Sequence, residues 1–420
     1  MTQFLITALG SYGDVHPMVG LGAALAARGH RVKIVTNPYF EEVVARAGLG
    51  FVPFGEREDY VRLSEHPDLW HPRRGPRMVL TYVSSDKLRP LYDLLKAAYT
   101  AGDTVFCAHT MDMASRTLGE QLGAPCASVV FAPSVLWSAH NTPRFKGALL
   151  GPRVPRWLKQ LQFKVADYVV TRRVLGPEIN RLRRELQLTP VTKIFGEWLF
   201  GGDLVLGLFP DWFGPQQPDW PPHTKTVGFP LWDTSSDAEL PDGVRRFLDA
   251  GPPPIAFSPG SANKEAHQFF AAAVDACRRL SRRGILLTKY DHQLPRNLPD
   301  SVYHVGFVPM SQLLPRTAAV VHHGGIGSCG QAFAAGVPQI VRPMSYDQFD
   351  NSRRVVRLGV GAELSVKQFN GARVAHELTR LLDSPEVASR CRDLAARCDG
   401  PAALAAACRA LEELAGQKAV

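Results

Sequence analysis

The sequence predicts an α/β protein of two domains, each built on a parallel sheet with helices on both faces. Three observations lead to this fold class. The chain has 420 residues, which is more than one ordinary core needs and enough for two domains of about 200 residues each. Hydrophobic residues make up 45% of it and charged residues 21%, as in folded globular proteins. Buried strands and amphipathic helices alternate in both halves, which is typical of parallel sheets with right-handed crossovers.

The order of the predicted elements also indicates the domain boundaries. The first half opens with the strand QFLITALG, a helix HPMVGLGAALAARGH that ends at Gly29, and the strand RVKIVTN. The apolar runs TVFCAH, CASVVFA and LVLGLF continue the series. A Pro- and Trp-rich stretch, FPDWFGPQQPDWPPHTKTVGFPLWD, precedes a second series that begins with PIAFSPGSAN. We expect a first domain over 1–210, a connection over 211–235, a second domain over 236–400, and a C-terminal helix over 401–420 that packs back on the first domain.

Charge and composition limit the partners of the protein. The net charge of +9 is compatible with nucleic acid, an anionic membrane surface or anionic small molecules. We expect no nucleic acid, because no basic and aromatic module of a known binding type occurs. The opening segment lacks a basic n-region, and no run of about 18 apolar residues follows, so we expect a cytoplasmic protein without a membrane span. Peripheral membrane contact through the basic region 144–193 stays open, as does the oligomeric state.

A glycine-rich loop in the second half indicates an anion site. The segment AVVHHGGIGSCGQAFAAG places glycines directly after an apolar strand and before a helix. Backbone amides at a helix N-terminus, together with the helix dipole, are suited to a diphosphate. Gly260 and Ser261 end another strand and are expected to offer an amide and a hydroxyl to the same anion. The spacing fits neither a P-loop nor a simple dinucleotide fingerprint.

The stretch from Gly306 to Asn351, GFVPMSQLLPRTAAVVHHGGIGSCGQAFAAGVPQIVRPMSYDQFDN, resembles the nucleotide-sugar signature of the inverting family 1 glycosyltransferases. The resemblance implies the GT-B fold, in which two Rossmann-like α/β domains face each other across a cleft. It also implies a nucleoside diphosphate sugar as co-substrate and no cofactor. The donor-binding residues that it implies, together with the neighbouring loop, are Gly260, Ser261, Phe307, Val308, His323, Gly325, Gly327, Ser328, Asp347 and Gln348. By the same likeness, His323 contacts the diphosphate, while Asp347 and Gln348 hold hydroxyls of the donor sugar.

Two positions depart from the plant members of this family. Phe307 stands where those members have a Trp under the nucleobase, and Met310 stands where they have a Gln that holds the nucleoside. A preference for uridine is therefore not implied. His322, next to the implied diphosphate contact, is expected to pack at the end of its strand.

The segment GSYGDVHP, which follows the first strand, contains the candidate base. A hydroxyl that attacks an anomeric carbon needs a base close to its proton, and Asp14 is expected at the strand end that faces the cleft. The resemblance supports this assignment, because the glycopeptide and sterol branches have an Asp where other members have the catalytic His. Two alternatives are that His16 is the base and that Asp14 only caps the first helix.

The resemblance also suggests a partner for the base. His109, in TVFCAHTMD, lies where plant members have the Asp that pairs with their catalytic His. A pair of Asp14 and His109 with exchanged roles is one possibility, and Asp112 is the other candidate. No D-x-D or other metal-ligand set is found at a strand end, so we expect transfer without a metal.

Four segments outside the signature, DLWHP, APSVLWSAHNTP, LFPDWFGPQQPDWP and GFPLWD, are similar to the rhamnosyltransferases of bacterial rhamnolipid synthesis. This likeness implies dTDP-L-rhamnose as donor, with UDP-glucose as the alternative, and an apolar acceptor such as a hydroxy fatty acid. The expected walls of the acceptor pocket are Phe131, Leu136, Trp137 and Phe145. The alternatives are a glucosyltransferase for polyphenols, sterols or polyketides and a non-catalytic subunit that binds nucleotide sugars.

Overall fold

A computed structural model of the chain describes residues 1–146, 154–233, 240–261 and 263–417. The chain forms two compact units. The first comprises Met1–Pro230 together with the segment that begins at Gly400, and the second comprises Leu231–Asp399. Each unit is built on one parallel sheet, so the predicted α/β fold with two parallel-sheet domains is confirmed.

The first unit contains a seven-stranded sheet. Its strands are β1 (Gln3–Thr7), β2 (Arg31–Thr36), β3 (Gly50–Pro53), β4 (Thr104–His109), β5 (Cys126–Val130), β6 (Leu204–Gly207) and β7 (Thr224–Thr226). They lie in the order β3-β2-β1-β4-β5-β6-β7. This order reverses direction between β1 and β4, and ligands of open α/β sheets bind beyond the carboxyl ends of the strands at such a reversal. We therefore expect a ligand-binding site at the loops after β1 and β4.

Helices cover this sheet. The described helices of the first unit, apart from the C-terminal one, are α1 (Tyr12–Ala27), α2 (Glu41–Arg46), α3 (Arg57–Glu65), α4 (Arg74–Ser84), α5 (Leu88–Ala98), α6 (Met113–Leu122), α7 (Arg156–Val170) and α8 (Gly176–Glu185). Short 3-10 turns lie at Pro38–Phe40 and Pro133–Val135, and π-helical turns lie at Thr171–Leu175 and Ile194–Trp198. Helix α1 begins after Ser11, whose side chain accepts a hydrogen bond from the N–H of Gly13.

The stretch predicted as an interdomain connection, 211–235, belongs to the first unit as far as Pro230. It contributes the edge strand β7, and Trp220 is buried, with its indole N–H donating to the carbonyl of Leu136 at 3.0 Å. The Pro and Trp residues indicated an irregular connection, but the aromatic side chains of this stretch pack into the unit. The expected boundary at 210 therefore came about 20 residues too early.

The second unit contains a six-stranded parallel sheet. Its strands are β8 (Ile255–Ser258), β9 (Gly284–Leu287), β10 (Val302–Val305), β11 (Ala319–His322), β12 (Gln339–Val341) and β13 (Gly361–Glu363). They lie in the order β10-β9-β8-β11-β12-β13, so the reversal falls between β8 and β11. The loops after these two strands are the ones that carry Gly260 and His323.

The described helices of the second unit are α9 (Asp242–Asp249), α10 (His267–Leu280), α11 (Met310–Leu313), α12 (Ile326–Ala334), α13 (Gln348–Arg357), α14 (Gly371–Leu382) and α15 (Pro385–Ala395). Two 3-10 turns lie at Asp291–Gln293 and Leu314–Arg316. Helix α12 follows β11 through the glycine-rich loop, so its N-terminus lies at the reversal of strand order.

The last helix, α16 (Gly400–Gln417), returns to the first unit. Glu412 accepts a hydrogen bond from Arg28 at 2.6 Å and lies 3.0 Å from His30 Nε2. The bond from Arg28 is the main cause that lowers the pKa of Glu412 to about 2. The chain thus leaves the first unit at Pro230 and re-enters it at Gly400. In the part of the chain that the structure describes, no helix has both the length and the apolar character of a membrane span.

Candidate active site

The first candidate site lies at the carboxyl ends of β1 and β4, where Asp14 approaches His109. Asp14 is in the first turn of α1, and its Oδ2 accepts hydrogen bonds from the N–H of Ser11 at 2.7 Å and from the Ser11 hydroxyl at 3.1 Å. The other oxygen, Oδ1, lies 3.4 Å from His109 Nε2. Asp14 therefore caps the helix and contacts the histidine at the same time. Its side chain is 33% exposed and that of His109 only 4%, so Asp14 is the member of the pair that a substrate can reach.

The orientation of His109 is set by its neighbours. Its Nδ1 accepts a hydrogen bond from the N–H of Met111 at 3.1 Å, so the proton of the neutral ring lies on Nε2 and faces Asp14. The N–H of His109 donates to the Thr7 hydroxyl at 2.9 Å, and that hydroxyl donates to Asp112 at 2.8 Å. Thr7, which the sequence did not single out, connects the ends of β1 and β4.

Asp112, the other candidate partner of Asp14, has a structural role. It is fully buried, and its Oδ1 caps α6 by accepting a hydrogen bond from the N–H of Ser115 at 2.9 Å. Burial raises its pKa. Asp112 reaches the site only through Thr7, so the structure brings His109 to Asp14 and does not bring Asp112 there.

His16, the alternative base, lies within α1. Its ring meets the ring of Tyr12 edge-on, with 5.1 Å between the ring centroids, and its Nε2 is inaccessible to solvent. A base must reach the proton that it removes. The exposed carboxylate of Asp14 meets this requirement better than the imidazole of His16.

Gly10 shapes the site, although sequence reasoning did not single it out. Its φ is +132°, and a Cβ at this position would lie 2.3 Å from Asp14 Oδ2. Glycine alone adopts this conformation readily and leaves room for the carboxylate. A glycine directly after the first strand, in GSYGD, was the signal that could have identified it.

The second candidate site lies at the carboxyl ends of β8 and β11, around His323. The imidazole lies between two glycines. A Cβ on Gly260 would approach its ring to 3.0 Å, and one on Gly325 would lie 2.6 Å from its Nε2. A Cβ on Gly327 would meet nothing within 4 Å. Gly260 and Gly325 therefore make room for the histidine ring, while Gly327 faces open space, as expected for a residue that a ligand approaches.

The two adjacent histidines differ in their environment. His322 is fully buried, its Nε2 lies 3.0 Å from Gln339 Oε1, and its Nδ1 accepts a hydrogen bond from the N–H of Gly324 at 3.1 Å. Burial lowers the pKa of His322 to about 4. The Nδ1 of His323 is inaccessible and lacks a hydrogen-bond partner in the described parts of the chain. Burial, followed by the proximity of His322, lowers the pKa of His323 to about 3, so both rings are neutral near pH 7.

Helix α12 offers backbone donors beside His323. Its N-terminal cap, Gly325, supplies no side-chain hydrogen bond, so the first N–H groups of the helix, from Ile326 to Ser328, lack intrahelical acceptors. Ser261 is exposed in the loop after β8. Amides at a helix N-terminus favour a negatively charged ligand.

Phe307 and Val308, two of the predicted donor-binding residues, differ in exposure. The ring of Phe307 is 51% exposed, and Lys289 Nζ lies 5.6 Å from its centroid. Val308 is only 3% exposed and packs in the core of the second unit. A flat exposed ring can stack on a nucleobase, whereas Val308 can offer no more than its main chain. The two residues lie in the loop between β10 and α11, where the side chain of Val308 faces the core and is not available to a donor.

Asp347 and Gln348 stabilise the loop that precedes α13. The carbonyl oxygen of the Gln348 side chain accepts hydrogen bonds from the N–H groups of residues 344 and 345 at 2.8 and 3.1 Å. The Asn351 side chain donates to Asp347 Oδ2 at 2.6 Å and to the carbonyl of Gly324 at 3.0 Å. Asn351, which closes the DQFDN segment, thereby links this loop to the glycine-rich loop.

The four residues predicted to line the acceptor pocket lie in the first unit and differ in their burial and contacts. The ring of Phe131 lies next to His109, with 5.2 Å between the ring centroids. Leu136 is only 2% exposed and belongs to the core, so its assignment to an open pocket is not supported. Phe145 is partly buried.

Trp137, the fourth predicted wall, is part of an aromatic stack. Its ring is stacked on Phe163 and on Phe195, with centroid distances of 5.4 and 5.3 Å. Phe163 lies on the inner side of α7. Trp137 therefore connects this helix to the loop after β5.

Two family models match separate parts of the chain. The glycosyltransferase family 28 N-terminal domain matches residues 4–140. The erythromycin biosynthesis protein CIII-like, C-terminal domain matches residues 282–411. Each of the two candidate sites lies mainly within one of these matches.

Similar proteins include named glycosyltransferases. The chain is 28% identical to O-mycaminosyltylonolide 6-deoxyallosyltransferase of Streptomyces fradiae, over 98% of this chain and 97% of that protein. It is also 28% identical to glycosyltransferase GtfC of Amycolatopsis orientalis, over 86% of each. Identity to the sterol 3-beta-glucosyltransferase UGT80A2 of Arabidopsis thaliana is 27%, over 91% of this chain and 61% of that protein.

Solved structures show the same fold over the whole length. CalG4, the calicheamicin glycosyltransferase, superposes with a TM-score of 0.74 at 21% identity and covers 100% of both chains. VinC, a glycosyltransferase in complex with dTDP, superposes with a TM-score of 0.71 at 20% identity, over 99% of this chain and 100% of that one. The chain has the GT-B fold, and its matches to a glycosyltransferase domain model and to named glycosyltransferases show that it is a glycosyltransferase.

Proposed function

We propose that the protein transfers a sugar, with inversion and without a metal, from a nucleoside diphosphate donor to a hydroxyl of an apolar small molecule. The observation that carries this proposal is the pair formed by Asp14 and His109. Asp14 is the more exposed residue of the pair, and the buried His109 donates a hydrogen bond to its carboxylate. The pair lies at the reversal of strand order, where ligands of such sheets bind.

In the proposed reaction, Asp14 accepts the proton of the acceptor hydroxyl. The hydroxyl oxygen forms the new bond to the anomeric carbon, while the bond from that carbon to the diphosphate oxygen breaks and its electron pair leaves with the nucleoside diphosphate. A single displacement of this kind inverts the anomeric configuration. The hydrogen bond from His109 holds the Asp14 carboxylate in place.

The second unit offers hydrogen-bond donors for the diphosphate leaving group. The first N–H groups of α12 and the neutral imidazole of His323 supply hydrogen-bond donors that can stabilise the developing charge on the diphosphate. Metal independence stays a prediction. A reaction that a chelator abolishes and that only a divalent ion restores would contradict it.

We predict that Phe307 stacks on the nucleobase. The variant Phe307→Ala should bind a nucleoside diphosphate about 5- to 150-fold more weakly, because stacking of a base on an aromatic ring contributes about 1–3 kcal/mol. The ring is half-exposed, so the melting temperature should change little. Phe307→Trp is the matched control and should retain the affinity in isothermal titration calorimetry. Equal binding by the Ala variant and the wild type would exclude stacking at this position.

For the donor we propose dTDP-L-rhamnose, with UDP-glucose as the alternative. The similar protein from Streptomyces fradiae is named for transfer of a 6-deoxy sugar, and one solved structure with the same fold is named a spinosyn rhamnosyltransferase. Met310 begins α11 where plant members have a Gln that holds the nucleoside, so the resemblance does not imply a uridine donor. These observations favour a deoxythymidine donor.

For the acceptor we propose a hydroxy fatty acid, on the strength of the resemblance in the first unit. Polyphenols, sterols and polyketides are the alternative, which the names of the macrolide and sterol relatives favour. The aromatic environment of Phe131 beside His109 suits an apolar acceptor of either kind.

A donor panel tests the function. Purified protein would be mixed in turn with dTDP-L-rhamnose, dTDP-glucose, UDP-glucose and UDP-N-acetylglucosamine, with calorimetry for binding and mass spectrometry for slow donor hydrolysis. A preference for dTDP-L-rhamnose would support the rhamnosyltransferase proposal and direct the acceptor search to hydroxy fatty acids. A preference for UDP-glucose would direct it to polyphenols, sterols and polyketides. Failure to bind any of the four donors would contradict the proposed class of substrate.

A further inference from the structure

Helix α7 presents its apolar side chains to solvent. The large apolar residues of this helix that are 42% to 65% exposed are Trp157, Leu161, Val165, Tyr168 and Val169. Spacings of four, four and three residues place the first four along one face of an α-helix. These five residues, here named the apolar stripe, extend over about 18 Å at 1.5 Å per residue.

The inner side of α7 carries Phe163, which stacks on Trp137, together with two buried charged residues. The buried residues of this helix are Lys159 and Asp167. The Asp167 carboxylate accepts hydrogen bonds from the N–H groups of Phe195 and Gly196, each at 2.9 Å. These bonds attach α7 to the π-helical turn Ile194–Trp198 and hold the apolar stripe outward. A surface helix of a globular protein normally buries its apolar face, so an exposed stripe of this length indicates an interaction surface.

Positive charges alone flank the apolar stripe. The exposed charged residues of α7 and of the turn that follows it are Arg156, Lys164, Arg172 and Arg173. Within the described ranges, none of these four forms an ion pair with a carboxylate. The only acidic residue of this segment, Asp167, is buried. The Arg172 guanidinium lies 5.3 Å from the centroid of the Tyr168 ring, so this cation and this aromatic ring point in the same direction.

We propose that α7 is a peripheral membrane-binding helix that lies in the interface of an anionic bilayer. An apolar face bordered by Lys and Arg, with Trp and Tyr among the apolar residues, is the pattern of helices that lie in the plane of the interface. The apolar stripe enters the boundary between headgroups and acyl chains, and the four cations contact anionic headgroups.

A lipid surface fits these charges better than a second copy of the protein does. In a symmetric dimer through α7, the same surface of each copy would face the other. The unpaired cations of both copies would then be brought together without a carboxylate between them. An anionic lipid surface supplies both the apolar medium and the negative charge, and this inference depends neither on the donor nor on the reaction.

Vesicle co-sedimentation tests the proposal. Full-length protein would be mixed with vesicles of equal parts phosphatidylcholine and phosphatidylglycerol, or of phosphatidylcholine alone. We expect binding to the anionic vesicles only, weakened by salt. The charge variant K164Q/R172Q/R173Q should bind about a hundredfold more weakly, because each basic residue near an anionic surface contributes about fivefold. The stripe variant W157Q/L161Q/V165Q should lose at least about tenfold.

The matched control is R278Q/R373Q/R392Q, which removes the same charge from exposed, unpaired positions of the second unit. It should bind the anionic vesicles within about threefold of the wild type. All substituted side chains are exposed, so melting temperatures should stay close to that of the wild type. If the stripe variant alone is unstable, the charge variant, which keeps the apolar stripe, still decides the question.

Three results would overturn the proposal. The first is no binding of the wild type to anionic vesicles. The second is equal binding by the charge variant and the matched control. The third is a wild-type dimer in sedimentation velocity that the stripe variant converts to a monomer, since the apolar stripe would then be an interface between two copies.

Discussion

The variant Asp14→Asn is expected to turn over donor and acceptor about 10²- to 10⁴-fold more slowly than the wild type, which is the usual contribution of a positioned general base. The amide oxygen of Asn can still accept the hydrogen bonds of Ser11, so the start of α1 is retained. The amide nitrogen would face the N–H of His109 and cannot take a proton from a hydroxyl. Steady-state kinetics with the preferred donor of the panel would measure the loss.

Two controls make this result specific to the base. Nucleoside diphosphate binding, measured by calorimetry, should be unchanged in Asp14→Asn, because the proposed donor residues belong to the second unit. The variant His16→Gln, which tests the alternative base within the same helix, should retain turnover within several-fold. Near-normal turnover in Asp14→Asn with a large loss in His16→Gln would transfer the role of base to His16.

The adjacent histidines should respond in opposite ways to replacement by alanine. His323→Ala should weaken nucleoside diphosphate binding about 10- to 100-fold, as expected when a hydrogen bond to a charged group is removed. Its stability should change by less than about 1 kcal/mol, because Nδ1 has no partner in the described structure. His322→Ala should lower the free energy of unfolding by about 2–4 kcal/mol, since it leaves a cavity and breaks two buried hydrogen bonds.

Urea unfolding and calorimetry on both variants would separate the two effects. The folded fraction of His322→Ala should bind the nucleotide nearly as well as the wild type does. The assignment of His323 to the diphosphate fails if its Ala variant binds with unchanged affinity, or if His322→Ala loses as much affinity while remaining folded.

Much of the fold, and the strand ends at which both candidate sites lie, could be predicted from sequence. In a parallel sheet, residues that directly follow a buried strand must lie at its carboxyl end, and so Asp14, Gly260 and His323 could be placed before any coordinates. Which of these ends are neighbours depends on the order of the strands. That order is fixed by packing between segments far apart in the chain.

The roles of individual side chains were harder to predict because they depend on contacts between such segments. The sequence predicted that Gly260 and Gly325 bind an anion. In the structure, the space left by their missing side chains is occupied by the ring of His323. Val308 follows the exposed Phe307 and Leu136 precedes the stacked Trp137, but both are buried in the core. Both residues lie outside the strands, where no regular period tells which of two neighbours is buried.

The course of the chain, which leaves the first unit at Pro230 and re-enters it with α16, has a consequence for synthesis and for engineering. On the ribosome, the first unit cannot acquire its last helix until the whole of the second has been made. The pairing of Glu412 with Arg28 is thus among the final contacts to form. For the same reason, a chimera that exchanges the second unit between related enzymes needs two junctions, one near Pro230 and one near Asp399. With a single crossover, α1 and α16 would come from different parents. Arg28 would then keep its ion pair only if the second parent also carries an acid at the position of Glu412.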